Sequence, residues 1–97
     1  PTADVIVRNP THFAVALKYD IHKNNAPIVV AKGQDYMALR IIDIAEKYNI
    51  PMTENRPLAR ALYETVEVDR EIPEQFYMII AEVMAWVYSL KKETKRY

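Results

Sequence analysis

Residues Ala3–Asp20 read ADVIVRNPTHFAVALKYD: two apolar runs flank Arg8-Asn9-Pro10-Thr11-His12. Over Ala3 to Val7 the spacing predicts a short strand with Val5 and Val7 on one face. Phe13, Val15, Leu17 and Tyr19 then alternate with Ala14, Ala16 and Lys18, the period-two pattern of a half-buried strand. So few residues separate the runs that they pair most simply as an antiparallel hairpin. Asparagine and proline are ordinary turn residues, but Asn9–Pro10 is also a bond with covalent chemistry of its own.

Outward from this hairpin, DIHKNNAP is a polar connection and Ile28 to Ala31 a third strand. Gly33, the one glycine, follows the strand and opens a helix over about Asp35 to Tyr48. Met37, Ile41, Ile44, Ala45 and Tyr48 share a side of that helix, and Asp35 reads either as its N-cap or as a first-turn acid. NIPMTE supplies a short fourth strand, and a strand-helix-strand passage of this length returns parallel and right-handed. A second helix covers Arg56 to Thr65, with Pro57 tolerated in its first turn. EVDREIP is a loop, and Pro73 starts a last helix that runs to about Lys92. The expected fold is α/β: a small sandwich with a central four-stranded mixed sheet surrounded by helices. Residues 1–97 make one domain, without internal repeat, low-complexity segment or linker.

Composition narrows the function. The 97 residues suffice for one core, and 51% are apolar. Thirteen basic and thirteen acidic side chains cancel, which argues against nucleic acid as a partner. The tail KKETKRY reads as a solvated helix end. With no cysteine, disulfides and thiolate metal sites are excluded. No metal or cofactor is expected. The start at Pro1 rather than methionine reads as a piece of a longer protein, and no signal peptide is visible. The longest apolar tract, Phe76 to Leu90, contains Glu82 and falls short of the roughly 20 residues of a membrane span. No membrane contact by this fragment is expected.

Asparagine normally degrades when the next backbone nitrogen attacks its side chain. Proline blocks that route, because its nitrogen is already a tertiary amide without a hydrogen. The route left open is the reverse one. The Asn9 side-chain nitrogen attacks its own main-chain carbonyl, closes a five-membered succinimide and releases Pro10 as a new amino terminus. A turn that holds the two groups together, a twisted peptide and a proton carrier would all speed it. His12 is a side chain suited to moving protons near neutral pH. Thr11 can hydrogen-bond either to the developing oxyanion or to the turn backbone. None of Asn24, Asn25, Asn49 and Asn55 precedes a proline. His22 lies in a polar loop and reads as solvated.

NPTH between two such strands resembles the self-cleaving domain of the FlhB/YscU family of type III secretion export-switch proteins. APIVVAKG, ALRIIDIA, RPLARALYE and IAEVMAWVY resemble its flagellar branch, in the expected order and over essentially the whole chain. The resemblance implies the cytoplasmic domain of a bacterial inner-membrane protein that cuts itself between Asn9 and Pro10, leaving fragments 1–9 and 10–97 associated. It implies a switch of export substrates from rod and hook type to filament type. It also implies partners: the substrates, the export gate and a hook-length control protein. Asn9, Pro10, Thr11 and His12 carry the family's cleavage motif. A helix joining the sheet to the membrane part is expected to precede Pro1. The cut itself is expected to remodel a docking surface at the turn.

The last helix suggests a second surface. Phe76, Ile79, Ile80, Val83, Trp86, Val87 and Leu90 form a wide core stripe at about 100° per residue, and Gln75, Glu82 and Ser89 mark a polar side. Tyr77, Ala81, Met84 and Tyr88 fall on a third line, which either makes a shallow apolar groove or packs on the sheet or another helix. The resemblance implies a pocket for an apolar motif of early export substrates, at Ala26, Pro27, Ala81 and Met84. Flagellar relatives more often carry leucine where Met84 stands. The basic residues of RPLARALY read as surface charge or as contacts to neighbouring export components. Single-turnover self-processing, rather than a turnover enzyme, is the leading expectation. A non-cleaving interaction adaptor is the alternative. No nucleophile elbow, paired metal ligands or phosphate-binding loop supports a hydrolase.

Overall fold

In the computed structural model, which describes residues 2–10 and 12–94 and of 92–94 the backbone alone, β1 (Val5–Asn9), β2 (Phe13–Lys18) and β3 (Ile28–Gln34) form an antiparallel meander. Helix α1 (Tyr36–Lys47) then carries the chain to β4 (Met52–Glu54), which joins the far side of β1 in parallel. The sheet order is β3-β2-β1-β4. Helix α2 (Arg56–Thr65) follows, then a 3-10 turn (Glu74–Phe76) that leads into α3 (Tyr77–Thr94).

The sheet is covered on both faces, with different side-chain sizes. Val5, Val7, Val15, Leu17 and Val29 pack against Leu58 and Leu62 of α2, Phe76 of the 3-10 turn, and Ile80 and Val87 of α3. Ile6, Ala14 and Ala16 face α1 through Ala38, Ile42 and Ala45. Alanines on that side let α1 sit close to the sheet. Consecutive Val5, Ile6 and Val7 are all buried, the signature of a strand covered on both faces.

Local chemistry explains the boundaries. Asn49, at φ 56, closes α1. Its amide donates to the Glu46 carbonyl and the Ile50 amide to the Ala45 carbonyl at 2.9 Å, a Schellman ending with asparagine in the left-handed position. The Asn55 side chain accepts from the Leu58 amide at 3.1 Å and caps α2. The loop before α3 is not free. Val29 and Asp69–Arg70 exchange hydrogen bonds, and the Ile72 amide donates to the Pro27 carbonyl, so this loop covers the outer edge of β3.

Four expectations are corrected. Gly33 lies inside β3, paired with Ala14, and does not open the helix. The buried side of α1 is Ala38, Ile42 and Ala45, whereas Met37, Ile44 and Tyr48 are exposed. The apolar residues of this helix outnumber its buried positions, so periodicity alone picks the wrong stripe. In α3, Trp86, expected in the core stripe, is 40% exposed, whereas Met84 is only 5% exposed and packs in the core. β1 also runs on to Asn9, two residues beyond its expected end.

A Cβ on Gly33 would stand 2.8 Å from the main-chain carbon and Cβ of Met37 and 3.0 Å from the Ala38 nitrogen. The start of α1 rests directly on this residue. Gly33→Ala is expected to destabilise the fold by about 1–3 kcal/mol, the usual range for overpacking, as read by urea denaturation.

Candidate functional site

Asn9 is the last residue of β1 and pairs with Phe13. Three residues, Pro10 to His12, therefore connect the strands, and Thr11 lies outside the described residues. The turn closes through a hydrogen bond from the His12 amide to the Asn9 carbonyl oxygen at 3.1 Å. That oxygen belongs to the Asn9–Pro10 peptide. A donor aimed there polarises the carbonyl and favours the negative charge that would develop on it during nucleophilic attack. Sequence reasoning assigned His12 a side-chain role only and missed its main-chain one. The signal was present in the turn length, since a tight turn commonly bonds residue i to i+3.

The Asn9 side-chain oxygen is buried and has no hydrogen-bond partner among the described residues. A buried carbonyl oxygen left unpaired costs about 1–3 kcal/mol. An accepted hydrogen bond at this oxygen would draw electron density from the amide nitrogen and make it a poorer nucleophile. Asn9 also lines a hollow with Arg56, Pro57, Arg60, Ala61 and Glu64 of α2. The Asn55 amide donates to the Arg8 carbonyl at 3.1 Å, which fixes the capped start of α2 beside the Asn9–Pro10 bond.

On the other side of the turn stands Asp35, between β3 and α1. Its amide donates to the His12 carbonyl at 2.8 Å, and its Oδ1 lies 3.5 Å from His12 Nδ1. Asp35 occupies the N-cap position of α1, at φ 52 and ψ −113, but its side chain caps nothing. That backbone region costs a non-glycine residue about 1–3 kcal/mol. His12 and Asp35 are both largely solvent-exposed.

Ala26, Pro27, Ala81 and Met84 come together, as expected. They line one groove of about 430 Å³ with Tyr19, Asn25, Ile72, Tyr77 and Tyr88. The volume lies in the usual range of ligand sites. Met84 and Ile80 form its buried floor, and Ala81, Tyr77 and Tyr88 its exposed wall. Ile72 was missed; it is one of two branched apolar residues, with Val68, in the charged loop EVDREIP, and only it is buried. Burial, followed by the Asp4 carboxylate and Tyr19, raises the Tyr88 phenol above its ordinary pKa, so it stands at the rim as a neutral hydrogen-bond donor. Turn and groove lie at opposite ends of β2, about 20 Å apart at the strand rise of about 3.4 Å per residue.

A model of the FlhB HrpN YscU SpaS family matches residues 1–87. The chain belongs to this family. It is 55% identical over 93 residues to the flagellar biosynthetic protein FlhB of Bacillus subtilis, covering 96% of this chain and 26% of that protein. With Escherichia coli FlhB the figures are 55% over 92 residues, 95% and 24%, so the chain spans about a quarter of the length of these relatives. The cytoplasmic domain of FlhB from Shewanella putrefaciens superposes with a TM-score of 0.91 at 46% identity, over 98% of this chain and 73% of that one. A mutated EscU C-terminal domain, with alanine in place of an asparagine, gives 0.86 at 38%, over 89% and 86%. The α/β fold with a four-stranded mixed sheet is thus that of the FlhB and EscU C-terminal domains. Solved EscU domains include ones mutated at an asparagine, at the proline next to it and at the histidine two positions beyond. Asn9, Pro10 and His12 have the same spacing. Among the described residues, no helix is long and apolar enough to cross a membrane.

The groove wall divides into core and surface, and two variants separate them. Met84→Ala is expected to cost about 2–5 kcal/mol, as for other buried large-to-small changes. Ala81→Asp is expected to stay within about 0.5 kcal/mol. Thermal unfolding of both proteins checks this.

Proposed function

We propose that this chain is the self-processing cytoplasmic domain of a flagellar type III export component, and that its cut at Asn9–Pro10 controls which export substrates are accepted. The observation that carries the reading is the pair of carbonyls at Asn9. The main-chain oxygen accepts the His12 amide at 3.1 Å, and the side-chain oxygen is buried with no partner among the described residues. The first is ready to take up negative charge, and the second leaves its nitrogen nucleophilic.

The reaction balances without a co-reactant. The Asn9 side-chain nitrogen bonds to the Asn9 carbonyl carbon and gives up one proton. The carbon–nitrogen bond to Pro10 breaks, and the Pro10 nitrogen gains one proton. Water later opens the succinimide. His12 is suited to carry the proton, and Pro10 closes the competing decay path. The event occurs once per molecule.

The position of β1 supports continued association of the pieces. Fragment 1–9 contains all of β1, which is hydrogen-bonded to β2 on one side and β4 on the other. Val5, Ile6 and Val7 bury about 1.5–3 kcal/mol each. Cleavage then frees only the turn, where a charged amine appears at Pro10. A surface that changes there can alter recognition of export components without rearranging the sheet.

The groove supports a docking role that does not require the cut, and this favours the adaptor as a second reading. Its apolar floor and small Ala26 and Ala81 suit a short apolar segment of a rod- or hook-type substrate. Binding of the export gate or a hook-length control protein would use other surfaces, with the exposed α2 arginines as one candidate.

Intact mass under denaturing conditions tests the processing. The wild-type chain is expected to yield one fragment ending at Asn9 and one beginning Pro-Thr-His-Phe, whereas Asn9→Ala stays whole. A wild-type chain left unbroken after prolonged incubation at neutral pH overturns self-cleavage and leaves the adaptor. Fluorescence titration with an apolar substrate peptide tests docking. Ala81→Asp is expected to weaken binding by about tenfold or more, because an unpaired carboxylate would have to be desolvated.

A further inference from the structure

Asp35 sits where an aspartate usually accepts the amides of a helix's first turn, yet its side chain makes no such bond. Its φ of 52 is one that glycine adopts freely and other residues rarely do. Both departures bring Asp35 against His12. The Asp35 amide holds the His12 carbonyl at 2.8 Å, and Asp35 Oδ1 faces His12 Nδ1 at 3.5 Å. The His12 amide in turn holds the scissile carbonyl. A strained, non-capping residue pressed against a turn is better explained by what it touches than by the helix it precedes.

We propose that Asp35 is a positioning residue for self-cleavage, acting through His12; this rests on the self-processing reading above. The carboxylate accepts the proton-bearing Nδ1 of the imidazole. That selects the tautomer whose Nε2 carries a free lone pair, the form able to accept a proton from the Asn9 side-chain nitrogen as it attacks and to deliver it to the Pro10 nitrogen. No bond to Asp35 forms or breaks, and the proton lost by one nitrogen is the proton gained by the other. The Asp35 main chain contributes separately. By holding the His12 carbonyl it fixes the peptide whose neighbouring amide polarises the scissile carbonyl. Asp35 can do both because it joins β3 to α1, two packed elements, at the residue after Gln34 and two after the tightly covered Gly33.

The alternative role for Asp35 is purely local structure, and glycine tells the two apart. Asp35→Gly keeps the backbone conformation and removes only the carboxylate. It is expected to fold with an equal or higher melting temperature and to cleave about tenfold more slowly or worse, part of the roughly 10²–10⁴-fold that positioned proton transfer contributes. Asp35→Asn tolerates the same backbone and keeps a side-chain oxygen, so it is expected to recover part of the rate. In a His12→Ala background, Asp35→Gly is expected to cause no further slowing, the non-additivity of a residue that acts through another. Cleavage time courses by denaturing electrophoresis and mass give each rate. A wild-type chain that cuts while Asp35→Gly cuts equally fast overturns this proposal alone. Equal slowing by Asp35→Gly with and without the His12 side chain overturns it too. A wild-type chain that never cuts overturns the self-processing reading and this proposal with it.

Discussion

β1 is held from four directions: β2 and β4 along its edges, α1 on one face, α2 and α3 on the other. Much of this domain depends on that confinement. It fixes the last residue of the strand, Asn9, at the rim of a rigid sheet, so the turn that follows cannot relax by moving its anchor. It also separates chain continuity from fold integrity. A strand with both edges bonded and both faces buried keeps its place through ladder bonds and apolar burial, whether or not the backbone continues into the turn. The proposed cleavage would need such a strand on the short side of the break.

The surroundings of Asn9 are locally costly. A buried oxygen with no partner among the described residues and a left-handed aspartate each cost something, and they flank the same turn. Such costs persist only where the neighbouring structure enforces them. Here the enforcing parts are well satisfied: the asparagine cap of α2, the Schellman ending of α1, the bonded edge of β3. The groove is different in kind. It combines a buried floor with a wall that contributes little to the core, so its lining can vary without loss of fold. Its distance from the turn means that a change at one of the two surfaces need not alter the other.

The local pattern made much of this legible. Alternation of Phe13, Val15 and Leu17 gave β2, the run from Arg56 with Pro57 in its first turn gave α2 with its observed bounds, and the Asn-Pro dipeptide singled out the bond with unusual chemistry. Ala26, Pro27, Ala81 and Met84 were expected together only through family resemblance, since half the chain separates the two pairs. The choice of buried face on α1 was not legible: its apolar residues lie on more than one side, and the small Ala14 and Ala16 beneath it select Ala38, Ile42 and Ala45. Gly33 looked like a helix opener because glycine often punctuates elements, but here its missing side chain makes room for the helix packed on top of it.

Covalent possibilities and strand-forming tendencies are properties of neighbouring residues, so the order of amino acids alone specified the hairpin, the reactive dipeptide and the residue types able to assist it. Contacts between residues distant along the chain are not. The meeting of His12 with Asp35, the burial of the Asn9 side-chain oxygen, and the closure of the groove by Ile72 and Tyr19 arise because helices and loops from elsewhere pack onto the two ends of the same sheet.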